Sequence, residues 1–208
     1  MATPSNRSFD YIIVGAGAAG CVLANRLSLN PANSVLLLEA GAASHHWRLR
    51  MPMAAMDRLS QSNRFCWKNW SEPEPNLHGR QIFVPSGKVI GGSSSINGMV
   101  HVRGNPDEFD RWSNQGCEGW DYKSVLPYFK RSETYHGPRN TLRGNDGPLS
   151  VFKTTPTNPL DVAFIESGVQ AGFGFSEDFN GVCQEGFGSY DHSIYQGERV
   201  STATAYLL

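Results

Sequence analysis

The 208-residue sequence lacks an excess of either charge, a long uninterrupted apolar run and closely spaced cysteines. Its 18 basic and 19 acidic residues give a formal net charge of −1, so no basic field attracts nucleic acid or an anionic membrane surface. The most apolar stretch, residues 11–27, is interrupted by three glycines and, near its end, by the polar pair Asn25-Arg26. Because a bilayer-spanning helix needs about 20 consecutive apolar residues, we expect no integral membrane segment and no nucleic-acid partner.

Cysteine usage and the amino terminus give no sign of export or metal binding. No C-x-x-C pair occurs, so neither a zinc site nor a disulfide framework is indicated, and we expect free buried thiols. Residues 1–8 are polar and lack the apolar core of a secretory signal. The adjacent His45 and His46 have no partner at metal-ligand spacing and are assigned to a surface loop. We therefore predict no metal site and a cytoplasmic location. The cysteines are Cys21, Cys66, Cys117 and Cys183.

What the sequence does contain is glycine in two informative clusters. The first cluster, residues 15–20, reads G-x-G-x-x-G and follows an apolar run at 9–14 that is typical of a buried strand. A helical pattern at 21–29 comes next, and a second apolar strand at 34–39 ends in an acid. This order of strand, glycine turn, helix, strand and acid is the dinucleotide-binding pattern.

Each glycine of that pattern, and the acid that follows it, has a physical role. Gly15 turns the chain, Gly17 lets a pyrophosphate approach the backbone, and Gly20 lets the helix pack on the sheet. The helix amino terminus offers unpaired N–H groups to phosphate. Glu39 is placed to accept hydrogen bonds from the adenosine ribose hydroxyls, which favours NAD or FAD over NADP.

The second cluster lies in residues 87–103, which combine three glycines, three consecutive serines and an Asn-Gly pair. Glycine and serine favour conformations other than helix and strand interiors. Such a run instead exposes N–H groups and hydroxyls to a closely approaching anionic, flat ligand. The residues alone leave FAD and NAD open.

This second run resembles the signature of the glucose-methanol-choline (GMC) oxidoreductases, and further motifs resemble the same family. The resemblance extends over essentially the whole chain and is closest to the choline-dehydrogenase-like branch. It implies FAD as the cofactor. The similar segments are residues 15–21, 37–41, 71–80, 87–103 and 119–130.

The family resemblance implies an α/β fold: an FAD/NAD(P)-binding Rossmann-like domain followed by the start of an α+β, antiparallel-sheet substrate domain. We predict an incomplete FAD-binding domain at 1–147, the start of the substrate-binding domain at 148–198, and a return to the FAD domain at 199–208. Within these domains the sequence pattern predicts helices over 107–112, 122–132 and 159–171, and strands over 149–152 and 190–195.

The resemblance also implies which residues bind the cofactor. In some relatives a histidine before the signature asparagine attaches covalently to the flavin, and Ile96 occupies that position here, so we expect noncovalent FAD. The predicted cofactor-binding residues are Gly15, Gly17, Ala18, Gly20, Glu39, Ala40, Val89, Gly91, Gly92, Ser93, Asn97, Gly98, Met99 and Val100.

The roles of two groups near these residues are open. His101 and Arg103 either contact the cofactor or only order the turn into Pro106. The aromatic residues Phe65, Trp67 and Trp70 are expected to pack together, with a wall beside the flavin as the alternative.

The activity implied by the resemblance is oxidation of a small-molecule alcohol to a carbonyl compound, with hydride transfer to flavin N5. None of the six histidines matches the family's catalytic histidine, so we predict no catalytic residue in this chain and interpret it as an amino-terminal fragment, inactive alone. The alternatives are a hydroxynitrile-lyase-like member and a non-catalytic flavin-binding remnant. The sequence does not indicate an oligomeric state.

Overall fold

The computed structural model describes residues 7–55 and 59–208. Residues 1–6 and 56–58, which belong to the polar amino terminus and to the predicted first domain, lie outside the described residues. The chain divides into two compact units, which we describe separately. The first unit ends at Gly98 and resumes at Gly197–Leu208, and the second unit is Met99–Gln196.

The first unit begins with β1 (Tyr11–Val14), α1 (Ala18–Ser28) and β2 (Val35–Leu38). The two strands pair in parallel, with Tyr11 opposite Val35 and Val14 opposite Leu38. Parallel strands need a crossover connection, and α1 provides it. This βαβ unit confirms the predicted α/β, Rossmann-like fold.

Short elements make up the next part of the first unit. The strands β3 (Cys66–Trp70) and β4 (Phe83–Gly87) pair antiparallel, and α2 (Trp47–Arg50) precedes them. Short 3-10 helices lie at Pro52–Ala55, Leu59–Gln61, Pro75–Leu77 and Gly92–Ser95. The core of this region is a buried cluster of Leu49, Leu59, Phe65, Cys66, Val89 and Ile96.

The predicted packing of three aromatic residues is wrong for two of them. Phe65 is buried in the core, whereas Trp67 and Trp70 on β3 are 44% and 62% exposed. Lys88 lies over the Trp67 ring at 4.1 Å, and Trp70 contacts Phe83 with ring centroids 5.2 Å apart. Because β3 and β4 form a two-stranded ribbon, side chains on both of its faces remain accessible to solvent.

The second unit contains a four-stranded sheet and three helices. The strand order is β5-β8-β7-β6, and only the β6–β7 pair is parallel. The predicted antiparallel sheet is therefore mixed at one edge. The elements are β5 (Val100–His101), α3 (Pro106–Asn114), α4 (Tyr122–Ser132), β6 (Glu133–His136), β7 (Leu149–Phe152), α5 (Pro159–Gln170), β8 (Asp191–His192) and β9 (Ile194–Tyr195).

The compact units differ from the predicted domain limits at 147/148 and 198/199. The loop between β6 and β7, rich in Gly, Pro and Asn, suggested a boundary, but its backbone is held within the second unit. Gly147 N–H donates to the Glu133 carbonyl at 3.0 Å, and Tyr135 N–H donates to the Gly144 carbonyl at 3.0 Å. Composition signals a loop, whereas hydrogen bonding decides whether the loop separates two bodies. The family's domain limits stay a prediction.

The chain returns to the first unit through β10 (Glu198–Arg199) and α6 (Thr202–Tyr206). Ser201 and Thr204 form a reciprocal capping box at the start of α6. The helix packs on α1, and the Asn25 side-chain amide donates to the Tyr206 carbonyl at 2.8 Å. A helix that is remote in sequence thus supports α1.

One expectation about surface groups is corrected, whereas the loop assignment of His45 and His46 agrees with their position before α2. Cys21 and Cys66 are buried, but Cys117 and Cys183 are exposed, so the prediction of buried thiols is wrong for the latter pair. His46 caps α2 by accepting the Arg48 N–H at 3.3 Å. Within the described ranges, no helix combines the length and the apolar character that crossing a bilayer requires.

Candidate functional site

The first glycine cluster forms the turn from β1 into α1. Gly15 has a φ of +94°, and its N–H donates to the Leu38 carbonyl at 2.8 Å. A Cβ on Gly20 would lie 2.0 Å from the Gly15 carbonyl oxygen, whereas a Cβ on Gly17 would meet no atom of the described residues within 4 Å. Gly15 therefore makes the turn and Gly20 permits close packing. Gly17 leaves open space at the start of α1.

The start of α1 keeps its backbone donors available. Gly17 is the N-cap, and no side chain caps the helix there. Ala18, the first helical residue, is exposed. The first N–H groups of a helix have no partner inside the helix, and together with the helix dipole they attract anionic groups.

The Glu39 carboxylate bridges two backbone amides at the end of β2. Its Oε2 accepts the Ala16 N–H at 2.8 Å, and its Oε1 accepts the Gly41 N–H at 2.8 Å. Each carboxylate oxygen has a second lone pair, so Glu39 can still accept hydrogen bonds from a ligand hydroxyl. The neighbouring Ala40 is exposed.

The second glycine cluster lies directly against the first. Gly91 N–H donates to the Ala16 carbonyl at 2.7 Å, and a Cβ on Gly92 would lie 2.8 Å from the Gly17 Cα. Gly91 and Gly92 have φ values of +92° and +53°. Both the backbone conformation and the close approach require glycine at these positions. The two clusters that the sequence singled out therefore form one backbone surface, which we call the glycine cradle (residues 15–20 and 91–98).

The predicted cofactor-binding residues differ in accessibility, and Gly20, Gly91 and Gly92 are buried within the cradle. Ser93, Asn97 and Gly98 are exposed, whereas the Val89 side chain is fully buried in the core. The predicted contact of Val89 with the cofactor stays a prediction. The backbone of Val89 does contact the cradle, because the Val89 carbonyl accepts the Gly92 N–H at 2.7 Å.

The last two predicted residues, Met99 and Val100, belong to the second unit. Met99 is buried with a φ of +64°, and its carbonyl accepts the Ser193 N–H at 2.8 Å. Val100 is half exposed at the start of β5. Their predicted contact with the cofactor stays a prediction.

Sequence reasoning missed Arg199 as a neighbour of the cradle. Its Nη1 donates to both the carbonyl and the side-chain oxygen of Asn97, each at 2.7 Å. Thr202 N–H donates to the Ser94 hydroxyl at 3.0 Å. The only sequence signal was that residues 199–207 resemble the family's return towards the FAD domain, which does not indicate these contacts.

His101 and Arg103 are held by a buried carboxylate in the second unit. His101 Nε2 lies 3.1 Å from Glu133 Oε2, and the Arg103 guanidinium forms an ion pair with Glu133 Oε1. Arg143 Nε donates to Glu133 Oε1 at 3.0 Å. Burial alone would raise the pKa of Glu133, but the hydrogen bonds from His101 and Arg143 and the charge of Arg103 lower it to about 2. These contacts favour the ordering role over cofactor contact.

Comparison with known proteins gives the same family over almost the whole chain. The GMC oxidoreductase family model matches residues 9–208. The oxygen-dependent choline dehydrogenase of Sinorhizobium medicae (strain WSM419) is 52% identical over 198 residues, which are 95% of this chain and 36% of that protein. The chain thus spans about a third of the length of the curated relatives it matches.

Solved structures agree with this family in fold. Pyridoxine 4-oxidase from Mesorbium loti superposes with a TM-score of 0.90 at 32% identity, over 97% of this chain and 40% of that one. An FAD-dependent oxidoreductase from Chaetomium thermophilum gives a TM-score of 0.87 at 27% identity, over 96% and 36% of the two chains. The family match covers far more than half of the sequence, and the chain therefore belongs to the GMC oxidoreductase family.

Proposed function

We propose that this chain binds FAD in the glycine cradle and forms the cofactor-binding part of an alcohol-oxidising flavoenzyme. The observation that carries the proposal is the approach of Gly92 to Gly17, where a Cβ would lie 2.8 Å from the facing Cα. Two backbone segments that are remote in the sequence meet there, beside the uncapped start of α1 and its available N–H groups. Membership in the GMC family, with an FAD-dependent enzyme among its structural neighbours, supports the same cofactor.

The residues fit the parts of the dinucleotide. The uncapped amino terminus of α1 and the open space at Gly17 suit the pyrophosphate. Glu39 is held by two backbone amides and retains acceptor capacity for ribose hydroxyls. Ser93, Asn97 and Gly98 are exposed beyond the cradle's centre, and we assign them to the remaining length of the cofactor.

We further propose that the FAD is held without a covalent bond. The position where some relatives carry the attaching histidine is Ile96, which is 7% exposed and packs in the core. An aliphatic side chain has no atom that can form such a bond. Denaturing the flavin-loaded protein with acid should release all of the yellow colour into the supernatant. Flavin that remains with the precipitate would contradict the noncovalent assignment.

When bound, FAD supplies the acceptor for the hydride that leaves an alcohol carbon. The described residues contribute binding and orientation: backbone donors hold the phosphates, and Glu39 orients the adenosine end. We assign no catalytic residue to this chain. By the names of its relatives, the whole protein would act on a small alcohol, and choline is the first candidate to test. The predicted cytoplasmic location stays a prediction.

The binding test is a titration of the purified protein with FAD, followed by the quenching of flavin fluorescence. We expect saturable binding that ADP competes away and that 2′-phosphorylated NADP does not. Equal competition by ADP and NADP would contradict the role of Glu39, and absence of FAD binding would contradict the proposed function. Activity is tested separately with the complete reading frame, by bleaching of the flavin absorbance on addition of choline.

A further inference from the structure

Arg199 is a buried cation that has no counter-ion among the residues that the structure describes. The residue as a whole is only 3% exposed. Two further arginines that the structure shows to be buried, Arg103 and Arg143, each form an ion pair with Glu133. None of the ion pairs found among residues 7–55 and 59–208 includes Arg199. This is unusual, since buried charges in proteins are normally paired.

Among the described residues, only one of the three guanidinium nitrogens of Arg199 finds hydrogen-bond acceptors. Nη1 donates to the Asn97 carbonyl and side-chain oxygens at 2.7 Å each, and it lies 3.4 Å from the Ser94 carbonyl. Nε and Nη2 are buried and make no hydrogen bond within the described part of the chain. These two nitrogens carry three of the five N–H donors of the group.

Arg199 remains positively charged despite its burial. Burial lowers its pKa to about 10, which still leaves the guanidinium protonated at neutral pH. A role confined to holding Asn97 would use only Nη1 and would leave three donors and a charge uncompensated. The arrangement instead calls for an electron-rich acceptor beside residues 94–98, the part of the cradle in which Asn97 and Gly98 are exposed.

We propose that Arg199 is a cofactor-binding residue whose free N–H groups receive an acceptor oxygen of the flavin nucleotide. The inference rests on the proposed binding of FAD in the cradle. FAD has such acceptor oxygens in two places, namely on the pyrophosphate and at the pyrimidine edge of the flavin ring. Arginine suits either one, because its planar fork donates two parallel hydrogen bonds to oxygen acceptors.

The test uses the protein from the complete reading frame, with Arg199→Met, Arg199→Lys and the control Arg50→Met. Arg50 lies in the same unit, but it is exposed and paired with Glu198. Loss of one partner from a buried charged pair corresponds to about a 30-fold change or more in Kd. We expect FAD binding to weaken by this factor in Arg199→Met and by a smaller factor in Arg199→Lys. The Kd of Arg50→Met should be unchanged.

Sulfite binding distinguishes whether the acceptor oxygen belongs to the pyrophosphate or to the pyrimidine edge of the flavin ring. Sulfite adds to flavin N5 and bleaches the visible absorbance, and a positive charge at the pyrimidine edge strengthens the addition. Weaker sulfite binding in Arg199→Met at saturating FAD places the acceptor on the ring. Weaker FAD binding with unchanged sulfite binding places it on the pyrophosphate.

Folding is monitored by circular dichroism, and Arg199→Lys serves if Arg199→Met does not fold. Folded Arg199 variants that bind both FAD and sulfite as the wild type does would overturn this inference while leaving the proposed function intact. A wild-type protein that does not bind FAD would instead remove the proposed function, and this inference with it.

Discussion

Gly92 and Gly17 approach each other so closely that a Cβ on Gly92 would lie 2.8 Å from the Gly17 Cα. Real Cβ atoms do not approach another carbon to that distance, so any larger residue at 92 must push the two segments apart. The contact joins the turn that begins α1 to the first residue of the 3-10 helix Gly92–Ser95. It therefore fixes the geometry of the whole cradle.

Gly92→Ala is expected to weaken FAD binding at least tenfold, equivalent to about 1.4 kcal/mol, because the facing backbones must separate. Part of any effect comes from the φ of +53° at this position. Gly79→Ala controls for that strain, since Gly79 has a φ of +72° but no atom within 4 Å of its Cβ position. Fluorescence titration measures both variants. Equal FAD affinities in the two would contradict the steric argument.

Gly17→Ala separates ligand contact from folding. The backbone at Gly17 has φ −73° and ψ −168°, and a Cβ there meets no atom within 4 Å in the described part of the protein. Stability to urea should change by no more than about 1 kcal/mol, whereas FAD binding should weaken tenfold or more as the methyl group occupies the pyrophosphate position. Gly20→Ala is the contrasting variant: its Cβ would lie 2.0 Å from the Gly15 carbonyl oxygen, and ~3 kcal/mol of stability should be lost. Unchanged FAD affinity in Gly17→Ala would remove Gly17 from the site.

The local pattern predicted the βαβ unit well, because strand, turn and helix are each encoded within a few residues. The helix begins at Ala18 rather than at the predicted Cys21, since the last part of the glycine cluster is already helical. The helix predicted at 122–132 and the strand at 149–152 agree with α4 and β7. In each case a polar or glycine-rich segment marks the limits of the element.

What the sequence could not predict depends on contacts between remote residues. The cradle residues were recognised one by one, but their meeting at Gly17 and Gly92 required the fold. The same holds for Arg199, whose partner Asn97 lies far from it in the chain. The exposure of Trp67 and Trp70 was missed because residue spacing does not reveal that their sheet has two strands only. Tertiary neighbours decide burial in all of these cases.

Glu39→Gln is expected to destabilise the loop after β2. One of the amides of Ala16 and Gly41 would then face an NH₂ group instead of an oxygen acceptor. A backbone donor left without a partner costs about 1–3 kcal/mol, and urea unfolding measures that loss. The exposed Glu72→Gln in the same unit is the control and should change stability by less than ~0.5 kcal/mol. Equal stability of the two variants would show that the bridging hydrogen bonds contribute little.

Glu133 should make the stability of the second unit sensitive to acid. Opposing the effect of burial, hydrogen bonds from His101 and Arg143 and the charge of Arg103 lower its pKa from 4.5 to about 2. A lowered pKa means that the contribution to stability is complete above pH 4.5 and is lost as the pH falls towards 2. At 1.36 kcal/mol per pKa unit, this amounts to about 3 kcal/mol.

Glu133→Gln tests this linkage. It removes the carboxylate that pairs with two buried arginines, so the free energy of unfolding at pH 7 should fall by about 3–5 kcal/mol. The variant should also lose the wild type's decline in stability between pH 4.5 and 2, because Gln does not titrate. Glu108→Gln, which breaks an exposed pair with Arg111, should differ from the wild type by no more than about 1 kcal/mol. Urea unfolding at pH 7 and pH 3 gives the free energy of unfolding of all three proteins. If the stability of Glu133→Gln falls with acid as steeply as that of the wild type, other carboxylates cause the acid dependence.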